Sequence, residues 1–301
     1  MSEITLENGT LRAVINPTFG AGMMAFFAHH NDLWLPLMPD ARLPTVDLDT
    51  VNFLMIPYSN RIENGRFRFA GEAYQLKNGE NHAIHGDTRQ RVWDVAEQSE
   101  TRLVCTFDTQ RHANVNWPWP FAARVEYAVT NNALTSQLTL SNRGDGAMPA
   151  GFGWHPYFSR VVTQADEPVH LQFRVEGVYP DADGSRIPSG PAQPPAPNQD
   201  FSAEKALDPD NFLDICCRGY DGNGYIAWPE SGVKLVFDCS QACSHLVLYN
   251  PDAPYFAVEP VTNANNGVNL LAEGDPTSGV AVLEPEESLA ATFTLRVESL
   301  A

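Results

Sequence analysis

Arg124-Val-Glu-Tyr-Ala-Val-Thr-Asn131-Asn132-Ala-Leu-Thr-Ser-Gln-Leu-Thr-Leu140 reads as two strands joined by a tight turn. Val125, Tyr127 and Val129 alternate with Glu126 and Ala128, and Leu138 and Leu140 resume the alternation after the turn. A period of two places every apolar side chain of a strand on one face. Asn131-Asn132 suits the turn because asparagine tolerates positive φ. The same spacing recurs at Phe67/Phe69, Val169/Leu171/Phe173/Val175, Val233/Leu235/Phe237 and Phe293/Leu295/Val297, each run bounded by Gly, Asn, Asp or Pro. No window of a dozen residues sustains a 3.6-residue apolar period, and the one short helical turn expected lies in Phe201–Leu207. Strands following strands without intervening helices predict an antiparallel all-β sandwich or barrel. Six prolines between Pro180 and Pro197 interrupt the rhythm. Strands of the same short type flank them, so a long surface loop is expected there, with no interdomain linker.

The chain has 301 residues, enough for two domains or one large β domain. It carries 37 acidic against 19 basic side chains, a formal net charge of −18. Such a surface repels phosphate, which argues against nucleic acid and anionic membranes as partners and favours a neutral ligand. Met1–Glu7 has neither a basic region nor an apolar core of a signal peptide, and the longest apolar run, Ala21–Ala28, is far too short to span a bilayer. The cysteines (Cys105, Cys216, Cys217, Cys239 and Cys243) are odd in number and form no CxxC pair. Buried reduced thiols in a cytoplasmic protein are the expectation.

Few residues stand out as chemistry. His155 lies among aromatics in Gly151-Phe-Gly-Trp-His-Pro-Tyr-Phe158, and Pro156 keeps it extended. Glu259, in Tyr255-Phe-Ala-Val-Glu-Pro260, is an acid ending an apolar strand-like run, again held extended by a proline. His82 and His85 are three apart; on a helix they would share a face and could bind metal, but beside Gly86 and strand-like surroundings a shared metal is not expected. His85 alone could project into a site. Arg61 precedes the alternating segment Gly65–Phe69, a place that suits an ion pair. Asp214 sits in an apolar stretch, which is costly for an unpaired charge.

Taken in order, these segments resemble the aldose 1-epimerase (galactose mutarotase) family. The resemblance rests on Asn60-Arg61-Ile62 with Gly65-Arg-Phe, on Asn81…His85-Gly86, on Gly153-Trp-His-Pro-Tyr-Phe158, on Leu213-Asp214…Gly219-Tyr-Asp-Gly222, and on Val258-Glu259-Pro260…Asn269. It runs from about residue 5 to the C-terminus, and implies one domain over 1–301 with a large antiparallel β-sandwich, the supersandwich. It implies that Glu259 is the general base, that His155 is the general acid, and that Arg61, His85 and Asp214 hold the sugar hydroxyls and ring oxygen. Anomer exchange takes a proton from the C1 hydroxyl and gives one to the ring oxygen, then reverses both after rotation about C1–C2. A glutamate and a histidine suit that exchange near neutral pH, and neither a cofactor nor a metal is required.

The sequence also departs from the family pattern. The glutamate motif reads Glu-Pro-Val-Thr-Asn-Ala-Asn-Asn-Gly, without the glutamine of dedicated galactose enzymes, and Glu286 stands where the family usually has glycine. The compressed Asp segment leaves Asp210 as a substitute for Asp214. Two further readings remain: a hexose-6-phosphate 1-epimerase using Arg89 and Arg91, and a non-catalytic sugar-binding protein on the same fold. A free aldohexose as small-molecule substrate is the first expectation; the preferred sugar and the oligomeric state are not legible.

Overall fold

The computed structural model describes residues 3–163 and 167–300. Two large antiparallel sheets carry the fold. The first runs Ile4–Glu7, Leu11–Asn16, Gly22–His30, Asn52–Met55, Gly153–Ser159, Tyr255–Val261, His245–Asn250, Leu213–Arg218 and Gly177–Val178, with Leu33–Met38 alongside Gly22–His30. The second runs Lys205–Ala206, His170–Phe173, Asn223–Trp228, Val233–Cys239, Ser288–Ser299, Ala133–Asn142, Phe121–Thr130, Arg102–Asp108 and Asp94–Gln98. The hairpin read from the sequence is present: Thr130 pairs with Ala133, and Asn131 takes a φ of 51°.

Alternation decides which side of each strand is buried between the sheets. In the centre of the first sheet, Leu54, Trp154, Phe158, Phe256 and Val258 enter the main core with Leu138, Phe237 and Phe293 of the second. Rings cross the interface, Trp154 meeting Phe293 at 5.6 Å and Phe158 meeting Phe237 at 5.5 Å. Each such side chain contributes roughly 1.5–3 kcal/mol through burial. The one polar atom that Trp154 brings inside is satisfied, its Nε1–H donating to Ser136 Oγ at 2.8 Å.

Phe201–Leu207 departs from the sequence expectation. It forms no helix; Lys205 and Ala206 pair with Leu171 and His170, and the flanking amides of Phe173 and Leu207 bond Phe201 O and Val169 O. The segment's backbone groups are taken by the edge of the second sheet, which a helix would forgo. The α-helix among the described residues is Gly267–Ala272, directly after the glutamate strand. The Pro-rich segment leaves the first sheet at Gly177–Val178 and folds back on it, with Val178 and Gln193 exchanging amide–carbonyl bonds of 2.8 and 2.9 Å. Glu286 adopts a φ of 65°, the left-handed region that glycine enters most easily, and its carboxylate pairs with Arg143 at 2.6 Å. All five cysteines are buried and unpaired; burial pushes the Cys105 and Cys216 thiols up to about 12. No helix among the described residues is long and apolar enough to cross a membrane.

Candidate active site

The side of the first sheet turned away from the second carries the polar residues. Residues paired directly across antiparallel strands share a face. Phe53 pairs with His155, Glu259 with Val247, and Val247 with Cys216. Between the pairs Gly153–Val261 and Tyr157–Ala257, His155 stands opposite Glu259, and their Nε2 and Oε1 atoms lie 3.2 Å apart. The neighbouring row on this face is Tyr157, Ala257, Tyr249 and Asp214. Three of the five sequence-predicted residues therefore come from adjacent or near-adjacent strands of one sheet.

The other two arrive on loops. Asn60 O accepts the His85 amide at 2.7 Å, and Arg61 O accepts the Asn266 amide at 2.7 Å, which ties both loops to the segment after Glu259. Asn60 and His85 both have positive φ, 54° and 67°. The backbone turns sharply at Gly86, whose φ is +66° and where a Cβ would stand 2.0 Å from Ile56 O. His85 and His82 part company: His82 Nδ1 accepts the Asn64 amide at 3.0 Å, while the His85 ring meets His155 edge-on at 5.2 Å. Among the described residues no group of three or more His, Cys, Asp or Glu is placed to hold a metal ion.

Together Arg61, His85, His155, Asp214 and Glu259 line a cavity of about 200 Å³, with Tyr157 and Tyr249 completing the wall. Asp210 is exposed and outside it, so Asp214 is the acid placed at the site. The sequence missed Arg186, which comes from the Pro-rich loop and binds Asp214 Oδ2 through Nε at 2.8 Å and Asp181 at 2.5 Å. Nothing around Gly184-Ser-Arg186 signals this. Tyr249 was equally silent, one aromatic among many in an alternating strand. Arg61 was expected to suit an ion pair; its Nη1 instead donates to Asn60 Oδ1 at 3.0 Å, and its charge is felt at Glu259 and His155.

The pair at the centre is deeply buried, His155 at 5% and Glu259 at 1% exposure. Burial, then the charge of Asp214, holds the Glu259 carboxyl well above the usual carboxylate range, with Arg61 pulling the other way. Burial first, against a backbone hydrogen bond that favours the cation, and then the charges of Arg89 and Arg61 together lower the His155 imidazole to about 3. His85 is pushed well below its ordinary value by burial first, then by His155, Arg89 and Arg61. Both shifts favour the uncharged forms, a protonated carboxyl beside a neutral imidazole. Glu259 carboxylate with His155 imidazolium holds the same number of protons, so moving one proton along the 3.2 Å line exchanges the two forms.

A pH effect on stability follows. His85, His155 and His245 all have depressed pKa values, His245 at about 4. Below about 6.5 the unfolded chain takes up protons that the folded one refuses, so stability is lost as pH falls. Glu259, raised in the folded state, opposes one of the three, because the folded chain keeps a proton that the unfolded chain releases above about 4.5. Unfolding free energy is therefore expected to fall by about 2–3 kcal/mol per pH unit near pH 5.5, measurable by urea melts. A flat profile from pH 7 to 5 would contradict the buried neutral histidines.

The site is thus a buried imidazole–carboxyl pair in a small polar cavity on the open face of one sheet of a β-sandwich. The aldose 1-epimerase family model matches residues 2–296, and the chain belongs to that family. It is 24% identical over its full length to YphB, an uncharacterized protein of Escherichia coli K12 that it also covers fully. It is 25% identical to the aldose 1-epimerase of Escherichia coli K12 over 54% of this chain and 49% of that protein. The crystal structure of a galactose mutarotase-like protein from Clostridium acetobutylicum superimposes with a TM-score of 0.87, covering 99% of this chain and 95% of that one at 19% identity. That likeness shows the fold, the galactose mutarotase-like sandwich.

Proposed function

We propose that the protein is an aldose 1-epimerase that interconverts the α and β anomers of a free aldohexose of the galactose or glucose type. The observation that carries this reading is the His155–Glu259 contact of 3.2 Å at the floor of a cavity of about 200 Å³. With the sugar's C1 hydroxyl on the glutamate and its ring oxygen on the imidazole, the carboxylate takes the hydroxyl proton and the imidazolium protonates the ring oxygen. The C1–O5 bond breaks, the aldehyde turns about C1–C2, and closure on its other face returns both protons. The pair reaches its ionic form when substrate hydroxyls replace the solvation that burial removes from carboxylate and imidazolium, with the Arg61 charge favouring the carboxylate. Arg61, His85 and Asp214 supply donors and acceptors for the remaining hydroxyls, and Tyr157 and Tyr249 supply flat faces. No electron or group is transferred, so the reaction as written uses no cofactor.

A sugar phosphate has less support. Arg91 is spent on Asp87 at 2.5 Å, and Arg89 lines a neighbouring cavity of about 270 Å³ shared with Asp47 and Asp49. Loss of optical rotation from freshly dissolved α-D-galactose and α-D-glucose is expected to run well above the spontaneous rate in the presence of protein. Failure to accelerate any aldose would overturn the reading, and a preference for hexose 6-phosphates would replace it with the phosphate-specific one.

A further inference from the structure

We infer that Phe53 is a positioning residue for the general acid: its ring, packed flat on the His155 imidazole, sets the plane in which Nε2 meets Glu259 and the sugar's ring oxygen. The inference rests on the epimerase reading and extends it to a side chain outside the catalytic cavity. Phe53 lines the neighbouring cavity of about 270 Å³ together with Arg89, while other residues wall the catalytic one. Its effect on the reaction must therefore pass through the histidine.

A catalytic histidine is ordinarily oriented through its second ring nitrogen, bonded to a carboxylate or a main-chain carbonyl. His155 lacks that brace. The backbone group that favours its cation belongs to His155 itself, and its buried Nδ1 meets no partner from another described residue. The contact of Nε2 with Glu259 Oε1 at 3.2 Å fixes a point and leaves the plane of the ring open. Ring packing closes that freedom. Phe53 pairs directly with His155 across neighbouring strands, so the register puts both side chains on the open face of the sheet. The two ring centroids lie 4.4 Å apart with planes 25° from parallel, a stacked arrangement. Tyr157 lies farther off at 4.6 Å and is tilted by 40°, and His85 meets His155 edge-on. The Phe53 ring also meets His85 at 5.3 Å, and His85 Nδ1 is likewise buried without a partner, so one benzene ring braces two imidazoles. Phe53 is itself held, 7% exposed and with the Arg89 guanidinium 5.3 Å over its ring. An aliphatic side chain could fill this volume but would present no flat face to the imidazole.

The test separates the face of the ring from its bulk. Polarimetry on galactose and glucose gives kcat and KM for wild type, Phe53→Leu and Phe53→Tyr, with a thermal melt of each. Phe53→Leu keeps an apolar side chain without a flat face, and is expected to lower kcat about thirtyfold with KM changed less than about threefold. Phe53→Tyr keeps the face and is expected to hold kcat within about threefold of wild type. A second readout is independent of turnover. The carbon-bound ring protons of His155, assigned by their loss in His155→Asn, are expected upfield of random-coil positions in wild-type NMR spectra. They should move downfield in Phe53→Leu, because the Phe53 ring is what they lie over. The role of Phe53 is overturned by wild-type kcat in Phe53→Leu, by equal losses in folded Leu and Tyr variants, by a rise in KM in place of the fall in kcat, or by unshifted His155 protons. Each of those results leaves the epimerase reading standing. Absence of exchange with every aldose in the wild type overturns both.

Discussion

Glu259→Gln is expected to lower kcat for anomer exchange by about 10³-fold, until it meets the spontaneous rate, while leaving thermal stability unchanged or raised. The size follows from the proton traffic. A positioned general acid–base group contributes typically 10²–10⁴, and in the proposed cycle this carboxyl acts in both ring opening and ring closure. The amide has nearly the same shape and cannot cycle a proton. Stability moves the other way because Glu259 is 1% exposed, its Oε2 has no partner among the described residues, and its carboxyl is held well above the usual range. A group whose folded pKa is raised loses stability as pH rises through that pKa, and glutamine removes this loss, so any gain should appear at the alkaline end. His155→Asn should cost a similar factor, and the double variant little more than either single one, since the two side chains act as a unit. Turnover of the glutamine variant within tenfold of wild type would remove Glu259 from the chemistry.

Gly86→Ala is expected to destabilise the protein by about 3 kcal/mol or more, combining a left-handed penalty of roughly 1–2 kcal/mol with a backbone collision. At φ +66° the added Cβ would stand 2.0 Å from Ile56 O and 2.4 Å from Ile56 C, both main-chain atoms that no rotamer change can move. Ile56 O is also the acceptor of the Asp87 amide, so relief of the clash breaks a hydrogen bond of 2.8 Å. His85 immediately precedes this residue, and its displacement should lower kcat/KM at least tenfold. Gly71→Ala is the control: φ is +86°, yet nothing lies within 4 Å of the new Cβ, so only about 1 kcal/mol is expected. Denaturant melts that gave both variants the same cost would show that contact with Ile56 is not what fixes the turn.

The parts of the molecule that follow a period of two were readable in advance. The Phe121–Asn142 hairpin and the strands around Phe237 and Phe293 declare themselves because each alternates against a packed core. His155 and Glu259 were visible because each breaks that alternation with a buried polar group beside a proline. Their spatial meeting was not visible, since it depends on which distant strands become neighbours. In the loop from Asn78 to Gly86 the His85-Gly86 motif was legible, but the backbone path was not. Its turns place Asn78, His82, Ala83 and His85 at positive φ, against the preference of alanine and histidine, held by local bonds such as Ala83 N–H to Asn78 O and by long-range ones such as His85 N–H to Asn60 O. Phe201–Leu207 misled for a related reason: a sheet edge claimed its backbone, which local propensity cannot report. Arg186 gave no signal because its partners, Asp181 and Asp214, meet it only after the Pro-rich loop folds back.

The two-faced central strands have a consequence for how this protein can be altered. On Tyr255–Val261, Phe256 and Val258 hold the sheets together, whereas Ala257 and Glu259 lie on the open face that carries the candidate site. Specificity libraries can therefore sample positions such as Tyr157, Tyr249 and Asp214 without entering the packing between the sheets, which gives the protein latitude for new substrates at small structural risk. The same arrangement forbids a different kind of change. Deleting or inserting one residue in this strand would not shift the chemistry by one step; it would turn the carboxyl into the oil and the phenyl ring into the water, with fold and turnover lost together.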